Sequence, residues 1–341
     1  MIDLLVAGGG PVGLAAAIRG RLAGLEVIVV EPRSTPVDKA CGEGLMPSAV
    51  RGLHDLGVEV DGRPFAGIRY VGGRRHVEAR FVGGPGLGVR RTTLHAALAA
   101  RADDVGVARM PGRVEQVSQH QDHVEAAGVS ARWLVAADGL HSPVRRAIGL
   151  DRSSRGPARY GLRRHFEIAP WTNLVEVHWS EHAEAYVTPV GAGLIGVALL
   201  CGAEGHRRGY AETLAGFPDL CARLGGAAPV TPVRGAGPLR QVARSQSRGR
   251  VLLVGDAAGY VDALTGEGLA TGLATASAAV SAVLEGRPEA YDALWRAATR
   301  RYRWITLPLV AAANQPMVRR AIVPTAVRLP WVFSRLVNAL G

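Results

Sequence analysis

Four short, largely apolar runs punctuate the chain at residues 2–7, 25–30, 133–137 and 251–254, broken only by Asp3 and Glu26, and each runs into a glycine or an acidic residue. Runs of this length bounded by turn residues predict buried strands. Residues 14–23 and 269–284 carry helical patterns, and the second is Ala-, Ser- and Thr-rich. It is shorter than the roughly 20 apolar residues a bilayer-spanning helix needs, so it predicts a buried helix of a soluble fold. Residues 65–71 and 76–82 alternate apolar and polar positions around Gly72-Gly73, which is a hairpin pattern. Residues 159–168, 174–180, 184–190 and 194–200 add further alternating or apolar strands between turn residues. Together they predict one largely antiparallel sheet inserted into the first unit and roofing a substrate pocket.

Beyond Gly286 the pattern turns helical, with breaks expected at Pro308, Pro316, Pro324 and Pro330. Arg319, Arg320, Arg328 and Arg335 are mixed there with Ile322, Val323, Leu329, Trp331, Phe333 and Leu336. A basic amphipathic segment either caps the core, which is the favoured reading, or lies on a lipid surface.

Composition narrows the class. The chain has 341 residues, 48% hydrophobic and 20% charged, within the range of soluble globular proteins. Three scattered cysteines, Cys41, Cys201 and Cys221, suggest neither a disulfide framework nor a thiolate metal site, and a reducing cytoplasmic location is expected. No signal peptide is expected, because the first residues lack a basic segment. The net charge is +11, and Lys39 is the sole lysine among 40 basic residues. The arginines are dispersed and aromatics make up only 5%, so no nucleic-acid surface is expected. His120 and His123 sit in a polar hairpin with no third ligand in view, so no metal is expected.

The chemistry lies in the turns. Gly8-Gly9-Gly10-Pro11-Val12-Gly13 gives G-x-G-x-x-G between the first run and a helix, and Glu31 closes the next strand. Gly8 permits the turn, Gly10 admits a pyrophosphate to the helix N-terminus, Gly13 allows close packing, and Glu31 accepts ribose hydroxyls. A second match, Gly191 to Gly196, leads into an apolar strand and reads as a hairpin turn. One bound dinucleotide is therefore expected.

Asp138-Gly139 with His141 and Arg145 follows the third run, and Gly255-Asp256 follows the fourth. These motifs, in this order, resemble the flavoprotein superfamily of para-hydroxybenzoate hydroxylase-type monooxygenases, geranylgeranyl reductases and flavin-dependent halogenases. The resemblance spans about the first 285 residues. It implies an α/β (α+β) fold: a Rossmann-like FAD-binding domain of glutathione reductase type (1–64, 88–155 and 240–286), an inserted mostly antiparallel substrate domain (65–87 and 156–239), and a C-terminal helical region (287–341). It implies FAD contacts at Gly8, Gly10, Pro11, Val12, Gly13, Glu31, Pro32, Arg33, Cys41, Gly42, Arg91, Val114, Asp138, Gly139, Gly255, Asp256, Gly266, Gly268 and Leu269. It places His141 and Arg145 on an NADH or NADPH donor. Asp256 would receive the ribityl hydroxyls, and the amides opening the 269–284 helix would face the flavin and stabilise negative charge on it.

Three activities compete. The leading expectation is NAD(P)H-dependent hydroxylation of an apolar or aromatic small molecule, plausible in secondary metabolism, and the runner-up is reduction of isoprenoid double bonds. Lys39-Ala-Cys41-Gly42 and Thr265-Gly-Glu-Gly268 resemble the reductase branch, whereas Ala185-Tyr-Val-Thr-Pro-Val-Gly191 has fewer aromatics than that branch carries. The halogenase reading is disfavoured, since no paired tryptophans occur, and a non-catalytic FAD protein is the third alternative. Cys41, Tyr186, Thr188, Tyr260 and Asp262 are the candidate pocket residues. The oligomeric state is left open.

Overall fold

The computed structural model describes residues 1–154 and 156–341. Five strands form a parallel array in the order Val251–Leu253, Val129–Ala136, Ile2–Ala7, Val27–Glu31, Ala108–Pro111. Their apolar runs are explained by burial on both faces: Leu4, Leu5, Val6, Leu134, Val135 and Leu252 are all fully enclosed. Helix Pro11–Leu22 starts on a proline whose missing N–H costs nothing at that position, and it ends before Gly24, where φ is +87°. Its small buried residues bring it close to helix Gly268–Leu284. A Cβ on Gly272 would come within 2.4 Å of Val12, so glycine sets that helix–helix distance.

The second sheet has seven strands and draws on two separate parts of the chain. Gly67–Gly72 and Arg75–Arg80 form the expected hairpin at one edge. The first of these strands pairs in parallel with Val175–Trp179, and the rest of the sheet is antiparallel. The second G-x-G-x-x-G is the turn between Ala183–Gly191 and Leu194–Gly202, as its local pattern indicated. Helices Ala203–Ala215 and Pro218–Leu224, which strand alternation gave no sign of, cover one face of the sheet with Tyr210, Phe217 and Leu220.

Three helices close the other side: Tyr291–Ala313, Pro316–Arg328 and Pro330–Leu340. Pro316 and Pro330 start helices, but Pro308 and Pro324 lie inside them, which corrects the expected breaks. The helical partners they remove are those of the Trp304 and Arg320 carbonyls, and both of these residues are exposed. The cap is anchored at its start, where Tyr291 donates to the Leu253 carbonyl at 2.6 Å and Asp292 accepts from the Gln246 amide at 3.1 Å. Farther along, Arg319 reaches Glu184 at 2.6 Å, and Arg159 joins Glu184 to Asp262, at 2.9 Å each. All four charges are buried in this cluster, which ties cap, sheet and the loop after Gly259 together. No helix among the described residues is long and apolar enough to cross a membrane.

Candidate active site

Sheet register explains why three motifs far apart in sequence meet. Ala7 lies opposite Ala136, and Ala136 lies opposite Leu253. The turns that follow, at Gly8, Asp138-Gly139 and Gly255-Asp256, therefore leave the sheet side by side at its C-terminal edge. Backbone bonds extend the alignment, with Ala137 N–H donating to Ala7 at 2.8 Å and Val254 N–H to Ala136 at 2.9 Å. A Cβ on Gly13 would sit 1.9 Å from the Gly8 carbonyl oxygen. Only glycine lets the helix start this close to the strand, which points its N-terminal amides into the groove.

Gly9 N–H donates to Glu31 at 2.8 Å, and Arg33 Nε binds the same carboxylate at 2.7 Å. Burial pushes the Glu31 carboxyl upward, but the Arg33 hydrogen bond and charge and the Gly9 amide outweigh it, so it ionises below the ordinary range. The ionised carboxylate ties the glycine turn to the end of the second strand through Gly9 and Arg33. Across the groove, Asp138 accepts from Val144 N–H at 3.0 Å through one oxygen, while its buried Oδ1 has no partner among the described residues. Burial dominates there and raises its pKa despite Ser142, Val144 and Arg145. Lys39 Nζ stands 3.7 Å from Asp256.

These groups edge a cavity of about 930 Å³. Gly10, Pro11, Val12, Arg33, Cys41, Gly42, Arg91, Asp138, Gly139, Asp256, Gly266, Gly268 and Leu269 line its cofactor end. Gly8, Gly13 and Gly255 stand behind that lining and shape it, Glu31 and Pro32 close the neighbouring strand, and Val114 is packed in the core. The residues fit FAD. A Cβ on Gly42 or Gly266 would meet nothing within 4 Å, and Arg91 has a buried Nε without a partner beside this open space. Glycine-walled space flanked by Arg33, Arg91 and Lys39 suits a pyrophosphate with a flat ring system.

Arg145 has a different role from the one expected. Its side chain is 1% exposed and donates to Asp151 at 2.7 Å, to the Ala257 carbonyl at 2.9 Å, to the Leu140 carbonyl at 2.9 Å and to Gln241 at 3.0 Å. A guanidinium engaged this way is not free for a nicotinamide donor; it joins the Asp138-Gly139 turn to the Gly255-Asp256 turn. His141 is exposed, bonds the Gly237 carbonyl at 3.0 Å, and does not line the cavity.

Among the pocket candidates, Cys41, Tyr186, Thr188 and Tyr260 line the cavity, and Asp262 does not. Asp262 is committed to Arg159 in the buried charge cluster. The Tyr186 hydroxyl donates to Leu264 and the Thr188 hydroxyl to Gly42, both at 2.8 Å. Burial pushes the Tyr260 hydroxyl far above its ordinary pKa, so it stays protonated.

Glu43, Arg163 and His165 gave no sequence signal. Glu43 holds a left-handed φ of +59° in the loop after the second parallel strand and accepts from Arg91 N–H at 2.8 Å. It bonds His165 Nε2 at 2.6 Å, while Arg163 reaches Asp38 at 2.5 Å. This network fastens the Cys41 loop to the second sheet. Charged residues on an alternating strand read as solvent-facing, which is why only the fold reveals them. The hairpin histidines also differ from expectation: Glu125 supplies a third group, and the donor atoms of His120, His123 and Glu125 lie within 4.8 Å of one another. None of the three lines the cavity.

Comparison with known proteins identifies the family and the fold. The FAD binding domain family matches residues 1–301. Menaquinone reductase of Mycobacterium tuberculosis is 30% identical over 307 residues, covering 80% of this chain and 74% of that protein. Digeranylgeranylglycerophospholipid reductase 1 of Methanothermobacter thermautotrophicus is 28% identical, covering 84% of this chain and 78% of that one. The structure of a flavin-dependent brominase superposes with a TM-score of 0.83 at 17% identity, over 99% of this chain and 93% of that one, and so shows a common fold. With the glycine groove, the acceptor carboxylates and these likenesses in place, the chain belongs to the FAD binding domain family and is a FAD-dependent oxidoreductase.

Proposed function

We propose that this enzyme saturates a carbon–carbon double bond in a long, apolar, isoprenoid-type chain, with NADH or NADPH as the electron source. The observation that carries the reading is the cavity itself. It extends from the Asp138 and Asp256 turns, between the second sheet and the cap, to Leu309, Ile322 and Phe333. Away from the cofactor end, its walls are almost wholly aliphatic and aromatic side chains. Tyr186 and Thr188 spend their hydroxyl hydrogens on backbone carbonyls, which leaves little to orient a phenol. The two reductases named above act, by their names, on a menaquinone and on a geranylgeranyl lipid, which supports the same substrate class here.

Bound FAD, once reduced, supplies the hydride for such a step. The chain's own residues would hold the apolar substrate extended against that end of the cavity and keep bulk water away from it. The Gly268–Leu284 helix presents its positive N-terminal end there, which favours the charge that reduction builds up. The saturated product needs one proton besides the hydride. Burial keeps the Tyr260 hydroxyl protonated, and it lines the wall without donating to a protein acceptor among the described residues; the Cys41 thiol and the Thr325 hydroxyl line the same cavity.

The test is anaerobic turnover of the holoprotein with NAD(P)H and a prenylated quinone or geranylgeranyl lipid, followed by mass analysis. A product heavier by two hydrogens is expected. Product formed only with oxygen, and heavier by an oxygen atom, would replace this reading with hydroxylation.

A further inference from the structure

We infer that the mouth of the cavity is a docking face for an anionic lipid surface, from which an apolar substrate passes sideways into the protein. Three observations coincide on the cap helices. Trp304, Val318, Leu329 and Leu336 line the cavity and are also exposed, so the apolar wall continues onto the outer surface. Met317 and Trp331, next to them in sequence, are 86% and 63% exposed. Folded monomers rarely leave side chains of this size in water together unless something covers them.

The second observation is charge. Residues 293–341 contain eight arginines and no acidic residue. Arg328 and Arg335 directly precede the mouth residues Leu329 and Leu336; both are exposed, and neither forms an ion pair among the described residues. Apolar residues flanked by unpaired guanidinium groups complement lipid tails below anionic headgroups. The third observation is that no described helix is both long and apolar enough to cross a membrane, so the docking proposed is peripheral.

The inference deepens the proposed function by naming where the substrate is collected, but the docking face does not depend on which reaction follows. The test uses the FAD-loaded full chain with vesicles of phosphatidylcholine alone or mixed with phosphatidylglycerol. Co-sedimentation with the mixed vesicles, weakening as salt is raised, is expected. Of the six tryptophans only Trp304 and Trp331 are exposed, so their insertion is expected to move emission to the blue.

The double variant Arg328→Gln/Arg335→Gln is expected to bind about 30-fold more weakly, from about 1 kcal/mol per arginine near an anionic surface. The variant Met317→Ser/Trp331→Ser is expected to lose binding and part of the spectral shift. Bound FAD and turnover of a short soluble substrate report that each variant is folded. The inference is overturned if the parent protein binds neither vesicle, if both variants bind as the parent does, or if the exposed tryptophans are buried by self-association without lipid. Vesicle binding that persists while no double bond is reduced would reject the proposed reaction and leave the docking face standing.

Discussion

Replacing Arg145 by methionine separates two roles that the sequence alone does not distinguish. Methionine keeps much of the apolar stem and removes every donor. The carbonyls of Leu140 and Ala257 then lose charged partners in a site only 1% exposed, whereas Asp151 is solvated and loses little. Hydrogen bonds to a charged group contribute about 1.5–3 kcal/mol each, so two buried ones amount to about 4 kcal/mol. Unfolding entropy of about 2.1 cal/mol/K per residue makes that a fall in Tm of about 6 °C for a chain of this size. Because Arg145 joins the turns carrying Asp138 and Asp256, FAD affinity is expected to fall with stability. The assay pairs thermal melts of the holoprotein with FAD titration and with KM for NADH and NADPH. A variant that melts with the parent, retains FAD and shows only a raised KM for the nicotinamide would refute the structural role and restore the donor contact.

Three further outcomes are expected. Gly13→Ala forces a methyl group onto the Gly8 carbonyl, so the protein should purify colourless; a yellow Gly13→Ala protein with an unchanged absorbance ratio would contradict the groove geometry. Burial raises Glu267 to about 8, against a smaller lowering by Arg301. The folded chain therefore holds a proton the unfolded chain gives up, and stability that is full below the unfolded carboxyl value is lost as pH rises through about 8. Glu267→Gln should flatten this slope, of at most about 1.4 kcal/mol per pH unit, and identical melts of parent and variant from acid to alkaline pH would rule the linkage out. Arg319→Met leaves Glu184 with Arg159 alone and is expected to cost about 3 kcal/mol, loosening the cap. Limited proteolysis measures this: equal cleavage rates in the last three helices of parent and variant would show that the cluster does not hold them.

Local physics made the cofactor-binding half legible. Gly8 and Gly13 answer to a steric demand only a few residues wide, and strands enclosed on both faces leave nearly continuous apolar runs. The hairpin at Gly72-Gly73 and the helix after Thr265 were equally readable, because turn and helix periods are short-range properties. The charged interior was not. Arg145 looked like a ligand contact and Asp262 like a pocket acid until the fold supplied Ala257 and Arg159 as their partners. Glu43 and His165 are 122 residues apart, and only the packing of the Cys41 loop on the second sheet brings them to 2.6 Å. The sequence by itself determined where the glycine turns fall and roughly where the sheets lie. The tertiary structure alone decided that those turns converge, which charges are spent on one another, and that the cap helices form the cavity mouth. A strand's period records which face is apolar, whereas the partner of a buried charge is set by strand order and register, to which no local pattern responds.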